Sequence, residues 1–324
     1  MIYVLIGLAL IFDFLNGVHD SSNVVATPIS SGAIPPRRAL LLAAAANFIG
    51  PFLFGVAVAT TIGDDLLVQD AITTTAVIAG LVGAIVWNIF TWYAGLPSSS
   101  SHALIGGLVG AALVESGLQA IQLAGLTRIV IALLVSPILG MGFGYVVMSI
   151  SLFASRGATP KINHFFRRAQ YGTLIGLALS HGTNDAQKTM GVITLGLVTS
   201  GMLETFEVPT WVIFICATAI ALGTALGGWR LIRTLGGKIF RIRPIHGFTS
   251  QLAGAAVIMG AAIAGGPVST TQVMSTSIMG VGAAERANKV RWMVLRDLMA
   301  AWLLTIPAAA MLSGVTMWLI LAFA

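Results

Sequence analysis

Long apolar stretches dominate the chain, and short polar connections separate them. They lie at about 2–33, 39–61, 72–94, 97–115, 127–153, 170–200, 210–228, 246–264, 268–283 and 292–318. Most are close to the ~20 residues a helix needs to cross a bilayer. The pattern therefore predicts an all-α polytopic membrane protein. Two stretches, 2–33 and 170–200, exceed one straight crossing and are polar at their centres, with "NGVHDSSN" in the first and "HGTNDAQK" in the second. Both are expected to be broken helices or re-entrant hairpins. The pairs 72–94 with 97–115, and 246–264 with 268–283, are parted only by Pro97 and Pro267 with their neighbours. Each pair either crosses fully and returns or dips halfway, and both options keep the same topology.

Composition supports the membrane class. The 324 residues are 57% hydrophobic and 9% charged, against roughly 25% charged in a soluble domain. The start, "MIYVLIGLALIFDF", has no basic segment and reaches Asp13 early, so it reads as mature protein rather than a signal peptide. The single cysteine, Cys216, sits in an apolar run and is expected to pack rather than react.

Charge adds orientation. Lysine and arginine concentrate at Arg37–Arg38, at Arg156 to Arg168, at Arg230 to Arg243 and at Arg286 to Arg296, whereas Asp64, Asp65, Asp70, Glu115, Glu204 and Glu207 mark the other connections. The positive-inside rule makes the four basic loops cytoplasmic. This explains the net charge of +6 without a nucleic-acid partner. Tracing the chain from those loops puts both termini outside. The order of elements then repeats with its direction reversed. An inverted-topology repeat follows: a first half at 1–155, a short cytoplasmic linker at 156–168 and a second half at 169–324, with the helix breaks meeting at the midplane.

The two halves also match in sequence. "NGVHDSSN" aligns with "HGTNDAQK", placing Gly17 over Gly182 and Asp20 over Asp185. "GLPSSSSHALIGG" aligns with "GGPVSTTQVMSTS", placing Pro97 over Pro267 and Ser99–Ser101 over Ser269–Thr271. Interrupted helices in inverted repeats are the architecture of secondary transporters. A Pro followed at once by Ser or Thr suits a helix start, whose unpaired N–H groups and positive dipole end favour an anion. Ser99, Ser100, Ser101, Ser269, Thr270 and Thr271 would ring a tetrahedral oxyanion with donors. An isolated Pro-Ser-Ser is an ordinary helix-start turn; two repeat-related copies in a bilayer point to a site.

Asp20 and Asp185 are repeat-related carboxylates inside the membrane, where each charge costs ~2.5–3.5 kcal/mol or more. With Asn23 they offer hard-oxygen ligands for Na⁺, or a protonatable pair. For Asp185 the alternative is an internal ion pair with Lys188, one turn away. Asp13 has no repeat mate and no assigned role, and a proton-handling role for His102 stays open. Asp20, Asp185 and Lys188 sum to one negative charge. If the substrate is a divalent oxyanion, its uptake would need co-bound cations, because the membrane potential opposes it by about 4.6 kcal/mol per 100 mV. A passive channel gains nothing from paired carboxylates that repel its anion. An intramembrane hydrolase is disfavoured by the absence of GxSxG, HExxH or paired-Asp motifs.

At these motifs the chain closely resembles the PiT family of inorganic phosphate transporters. That family carries paired signatures like "GVHDSSNVVAT" and "HGTNDAQKTMGVI", followed by elements like "PSSSSHALIGG" and "PVSTT". "RALLLAAAANFIGPFLFG" and "RWMVLRDLMAAWLLTIPAA" also look like the family, so the resemblance covers nearly the whole chain. It implies a phosphate symporter of the cell membrane, not an enzyme, driven by Na⁺ or H⁺, without a cofactor and homodimeric. Carried over by position, Ser99–Ser101, Ser269–Thr271, Asn184 and Lys188 would bind phosphate, and Asp20, Asn23 and Asp185 the cation. Gln272 stands where the family usually has His, and His19 where many members have Asn. The long insertion some members carry between the halves is missing, which argues for a minimal carrier. Related proteins can carry sulfate, which is the alternative substrate.

Overall fold

A computed structural model describes residues 1–96, 98–237 and 239–323; Pro97 and Lys238 lie outside the described residues. Helices α1 (Ile2–Ser30), α2 (Pro36–Ile49), α3 (Ala57–Gly63), α4 (Thr74–Ala94), α5 (Ser100–Ser116) and α6 (Leu123–Ala154) form the first half of the order. Then follow α7 (Ile162–Thr199), α8 (Thr210–Leu226), α9 (Trp229–Gly237), α10 (Pro244–Ile263), α11 (Thr270–Arg286) and α12 (Trp292–Phe323). The sequence of elements is the same in each: a long helix, a bent pair, two helices parted by a short extended link, and a final long helix. α1, α4, α6 and α12 are each long and apolar enough to cross a membrane alone. The pairs α2–α3 and α8–α9 reach that length together, bent by 77° and 69°. The chain is a multi-pass membrane protein.

Stretches 2–33 and 170–200 do not break. α1 runs unbroken for 29 residues and α7 for 38, about 43 and 57 Å at 1.5 Å per residue. Their central polar side chains point sideways into other helices, so the helical backbone runs on through both motifs; at Pro28 of α1 the freed Val24 carbonyl takes Gln251 Nε2 instead. α7 begins at Ile162, so residues 162–168 of the expected linker continue this helix. The kinks fall elsewhere, between Phe52 and Ala57, where Gly55 takes a positive φ, and at Gly227 between α8 and α9. The chain links before α5 and α11 are interrupted as expected.

Packing crosses between the halves. α1 lies against α8 and α9, while α7 lies against α2 and α3. α6 seats on α11, and α12 on α5 and α4. Without a hydrophobic drive between helices in lipid, close backbone approach carries such contacts, and glycine makes it possible. A Cβ on Gly17 would stand 2.3 Å from the Ile220 carbonyl oxygen, and one on Gly182 would stand 2.3 Å from that of Asn47. The aligned glycines of the two motifs thus serve the same purpose on α1 and α7. Gly182→Ala must push α2 away and is expected to cost about 1–3 kcal/mol, the usual range for overpacking. Gly176→Ala on the same helix meets nothing within 4 Å and is expected to be neutral or slightly stabilising. Thermal melts of the two variants in detergent check the contrast.

Candidate functional site

Two helix starts meet in the core of the bundle. Ser99 and Ser269 are N-caps in extended backbone, and their hydroxyls accept the backbone N–H groups of His102 (3.2 Å) and Gln272 (3.3 Å). This capping satisfies one of the orphan donors of each first turn and aims the following hydroxyls at α1 and α7. The link between the two starts is direct: Gln272 Nε2 lies 3.5 Å from His102 Nε2, and His102 Nδ1 lies 2.6 Å from Ser99 Oγ.

The hydroxyls face the carboxylates. Thr271 Oγ1 donates to Asp20 Oδ1 at 2.9 Å. Thr270 Oγ1 lies 3.2 Å from Asp20 Oδ2 and 3.1 Å from Asp185 Oδ2. Asn23 Nδ2 donates to Thr271 Oγ1 at 3.0 Å. Ser100 Oγ lies 2.7 Å from Asn16 Oδ1 and 3.3 Å from Asp20 Oδ2. Lys188 Nζ pairs with Asp185 Oδ1 and donates to Ser101 Oγ (2.6 Å) and the Val268 carbonyl (2.9 Å). Asn184 Nδ2 reaches the Gly266 carbonyl at 3.2 Å. Each residue expected from the sequence to bind phosphate or cation is buried and belongs to this cluster or caps it. The internal Asp185–Lys188 ion pair expected as the alternative is present as well, within the same cluster.

Oxygen ligands are left over. Asn23 Oδ1 and Asn184 Oδ1 are buried without a hydrogen-bond partner. Unpaired buried acceptors cost about 1–3 kcal/mol each, and hard oxygens of this kind suit an alkali cation. Asp20, Asp185 and His181 each present a ligand atom within 4.8 Å of the others. His181 was not among the expected site residues. It lies four residues before Asp185, on the same helix face, with Nε2 3.1 Å from Asp185 Oδ2; that spacing is the signal that would have found it. Its Nδ1 lies 3.2 Å from Asn47 Oδ1 on α2.

Neighbours of the site also hold the kinked pairs. Gln187 Oε1 accepts the N–H groups of Val58 (2.8 Å) and Ala59 (3.3 Å) at the start of α3, and its Nε2 donates to the Gly55 carbonyl at 2.7 Å. Ser21 Oγ accepts the Gly228 N–H at 2.8 Å before α9. Backbone groups freed by each kink are thereby paired from the opposite half. Asp13 lies fully buried on α1 and faces Thr189 on α7, yet neither of its oxygens makes a well-formed hydrogen bond among the described residues. The offset of 165 residues pairs it with Ala178, so the second half carries no such carboxylate.

Comparison with known proteins bears on this arrangement. The family model described as "Phosphate transporter family" matches residues 16–313. A Bacillus subtilis protein named "Probable low-affinity inorganic phosphate transporter" is 44% identical over 316 residues, covering 96% of this chain and 95% of the relative. A Rhizobium meliloti protein of the same name is 44% identical over 314 residues, covering 96% and 93%. Among solved structures, one described as "The sodium-dependent phosphate transporter" matches with a TM-score of 0.90 at 24% identity, over 100% of this chain and 99% of that one. At that identity the structural likeness speaks for the fold. The match to the family model runs from Asn16 in the first polar motif to Ser313 within α12, so the chain belongs to the phosphate transporter family.

Proposed function

We propose that the protein imports inorganic phosphate across the cell membrane by symport with a cation, Na⁺ in preference to H⁺. The observation that carries this reading is the single hydroxyl of Thr270 standing between Asp20 and Asp185 at 3.2 and 3.1 Å. One hydroxyl hydrogen serves one acceptor at a time, whereas a cation between the two carboxylates would bind both at once. Na⁺ is favoured by the unpaired Asn23 and Asn184 oxygens and by the likeness to a structural neighbour described as sodium-dependent. Phosphate would take the Ser99–Ser101 and Ser269–Thr271 hydroxyls, the remaining N–H groups of the two helix starts, Asn184 and the Lys188 ammonium. Its charge is then offset by the cations held at Asp20, Asn23 and Asp185.

In this reading residues 1–155 and 169–324 are inverted repeats, both termini face outside, and alternating access moves one set of packed helices against the other around the fixed site. The carrier works as a homodimer and leaves its substrate chemically unchanged. The test is ³²P-phosphate uptake into proteoliposomes with an imposed Na⁺ or H⁺ gradient, with and without excess unlabelled sulfate. Accumulation is expected to follow the Na⁺ gradient, to collapse with a Na⁺ ionophore and to resist sulfate. Uptake that ignores both gradients would reduce the protein to a passive pathway, and labelled sulfate uptake in place of phosphate would change the substrate.

A further inference from the structure

Ten residues beyond Asp20, α1 ends at Ser30, about 15 Å along the helix axis. Two adjoining clefts open there, of about 440 and 500 Å³. Both are lined by Arg241, Arg243 and Arg291. The first is closed by Ser30 and by Gly236–Gly237 at the end of α9, the second by Lys289, His246 and Glu285. Glu285 is the sole carboxylate lining either cleft among the described residues. It is engaged by Arg243 Nη2 at 2.5 Å and His246 Nε2 at 2.9 Å. Three arginines and a lysine against one carboxylate leave the cleft strongly cationic.

The positive-inside rule accounts for the sign of these residues but not for their convergence. A loop whose basic groups only served orientation would spread them along the membrane rim. Here they come from separate elements, the segment after α9 and the α11–α12 connection, which are fastened together by the Arg291 N–H on the Ile239 carbonyl at 3.1 Å. Guanidinium groups gathered in a concave, polar site match the oxygens of a phosphate.

We infer that this cleft binds a phosphate group, as free inorganic phosphate or as a lipid headgroup, at the inner mouth and apart from the core site. The inference rests on the transport reading only for its purpose. A free anion held there would be the last stop before release, and internal phosphate filling it would slow further release and so restrain uptake. Since the lining arginines are exposed, binding weakens with ionic strength.

The experiment uses the full chain in nanodiscs of phosphatidylcholine and measures ³²P-phosphate binding with Na⁺ or with choline. The wild type is expected to show a Na⁺-dependent component from the core and a Na⁺-independent component from the cleft. Arg241→Gln with Lys289→Gln should weaken the Na⁺-independent component at least tenfold and leave the Na⁺-dependent one in place, which also shows that the variant is folded. Arg241→Lys with Lys289→Arg should restore it. Where the occupant is a headgroup, the Na⁺-independent component is absent in phosphatidylcholine discs. In discs half phosphatidylglycerol, native mass spectrometry then finds that lipid retained by the wild type and lost from the Gln variant. The inference is overturned if neither phosphate binding nor lipid retention differs between wild type and Gln variant. Loss of the Na⁺-dependent component in the wild type would instead count against the core site.

Discussion

Lys188→Met is expected to lower phosphate uptake at least a hundredfold and to destabilise the protein at the same time. Lys188 is 1% exposed, and its three ammonium donors are all used, on Asp185, Ser101 Oγ and the Val268 carbonyl. It fastens α7 to the starts of both α5 and α11. Removing it leaves Asp185 buried without its cation, a situation that costs about 3–5 kcal/mol. Lys188→Arg is no remedy, since a planar fork cannot reach three acceptors disposed around a point charge. The double variant Lys188→Met with Asp185→Asn removes both charges. It is expected to regain most of the thermal stability while uptake stays absent. That split, read from melts and from uptake at equal reconstituted density, separates the ion pair's part in the fold from its part in transport. Uptake surviving in Lys188→Met would show that the pair only holds helices together.

The second large effect is expected at Thr270. Thr270→Val keeps the shape and removes the one hydroxyl lying between Asp20 and Asp185. Each charge-assisted hydrogen bond contributes about 1.5–3 kcal/mol, so uptake should fall roughly 10- to 100-fold, with more Na⁺ needed for half-maximal rate. Thr270→Ser restores the hydroxyl and should remain within a few-fold of wild type. Titrating Na⁺ at fixed phosphate in proteoliposomes checks this. An unchanged Na⁺ dependence in Thr270→Val would sever the link between the hydroxyl and the cation.

The candidate site is legible in the sequence because its residues break a strong rule. Charged and amide side chains in apolar stretches are costly, so "NGVHDSSN" and "HGTNDAQK" stand out, and their alignment locates Asp20, Asp185 and Lys188 without any knowledge of the fold. The same rule misleads on local structure. Polar centres in 2–33 and 170–200 suggest broken backbone, whereas lateral partners such as Thr271 for Asp20 and Ser101 for Lys188 let both helices run through. Hydropathy cannot register such partners, because they lie up to about 250 residues away in sequence. The α8–α9 kink is hidden for a different reason. Residues 210–228 read as a complete crossing, and "WRLIRTLGG" reads as basic loop. Yet Leu231, Ile232 and Leu235 are buried, giving α9 one apolar face. Gln187 escapes notice because its partners are backbone groups at a kink, and sequence patterns carry no mark of those.

The crossed packing of α6 on α11 and of α12 on α5 bears on biogenesis. Helix α5, whose start presents Ser99–Ser101, packs its body along α12, a helix translated long after it, while α6 waits for α11 to arrive. A chain inserting from its N-terminus therefore leaves one flank of α5 and one of α6 without its partner helix until α12 and α11 dock. Each half of the chain thus completes its packing only when the other is in place.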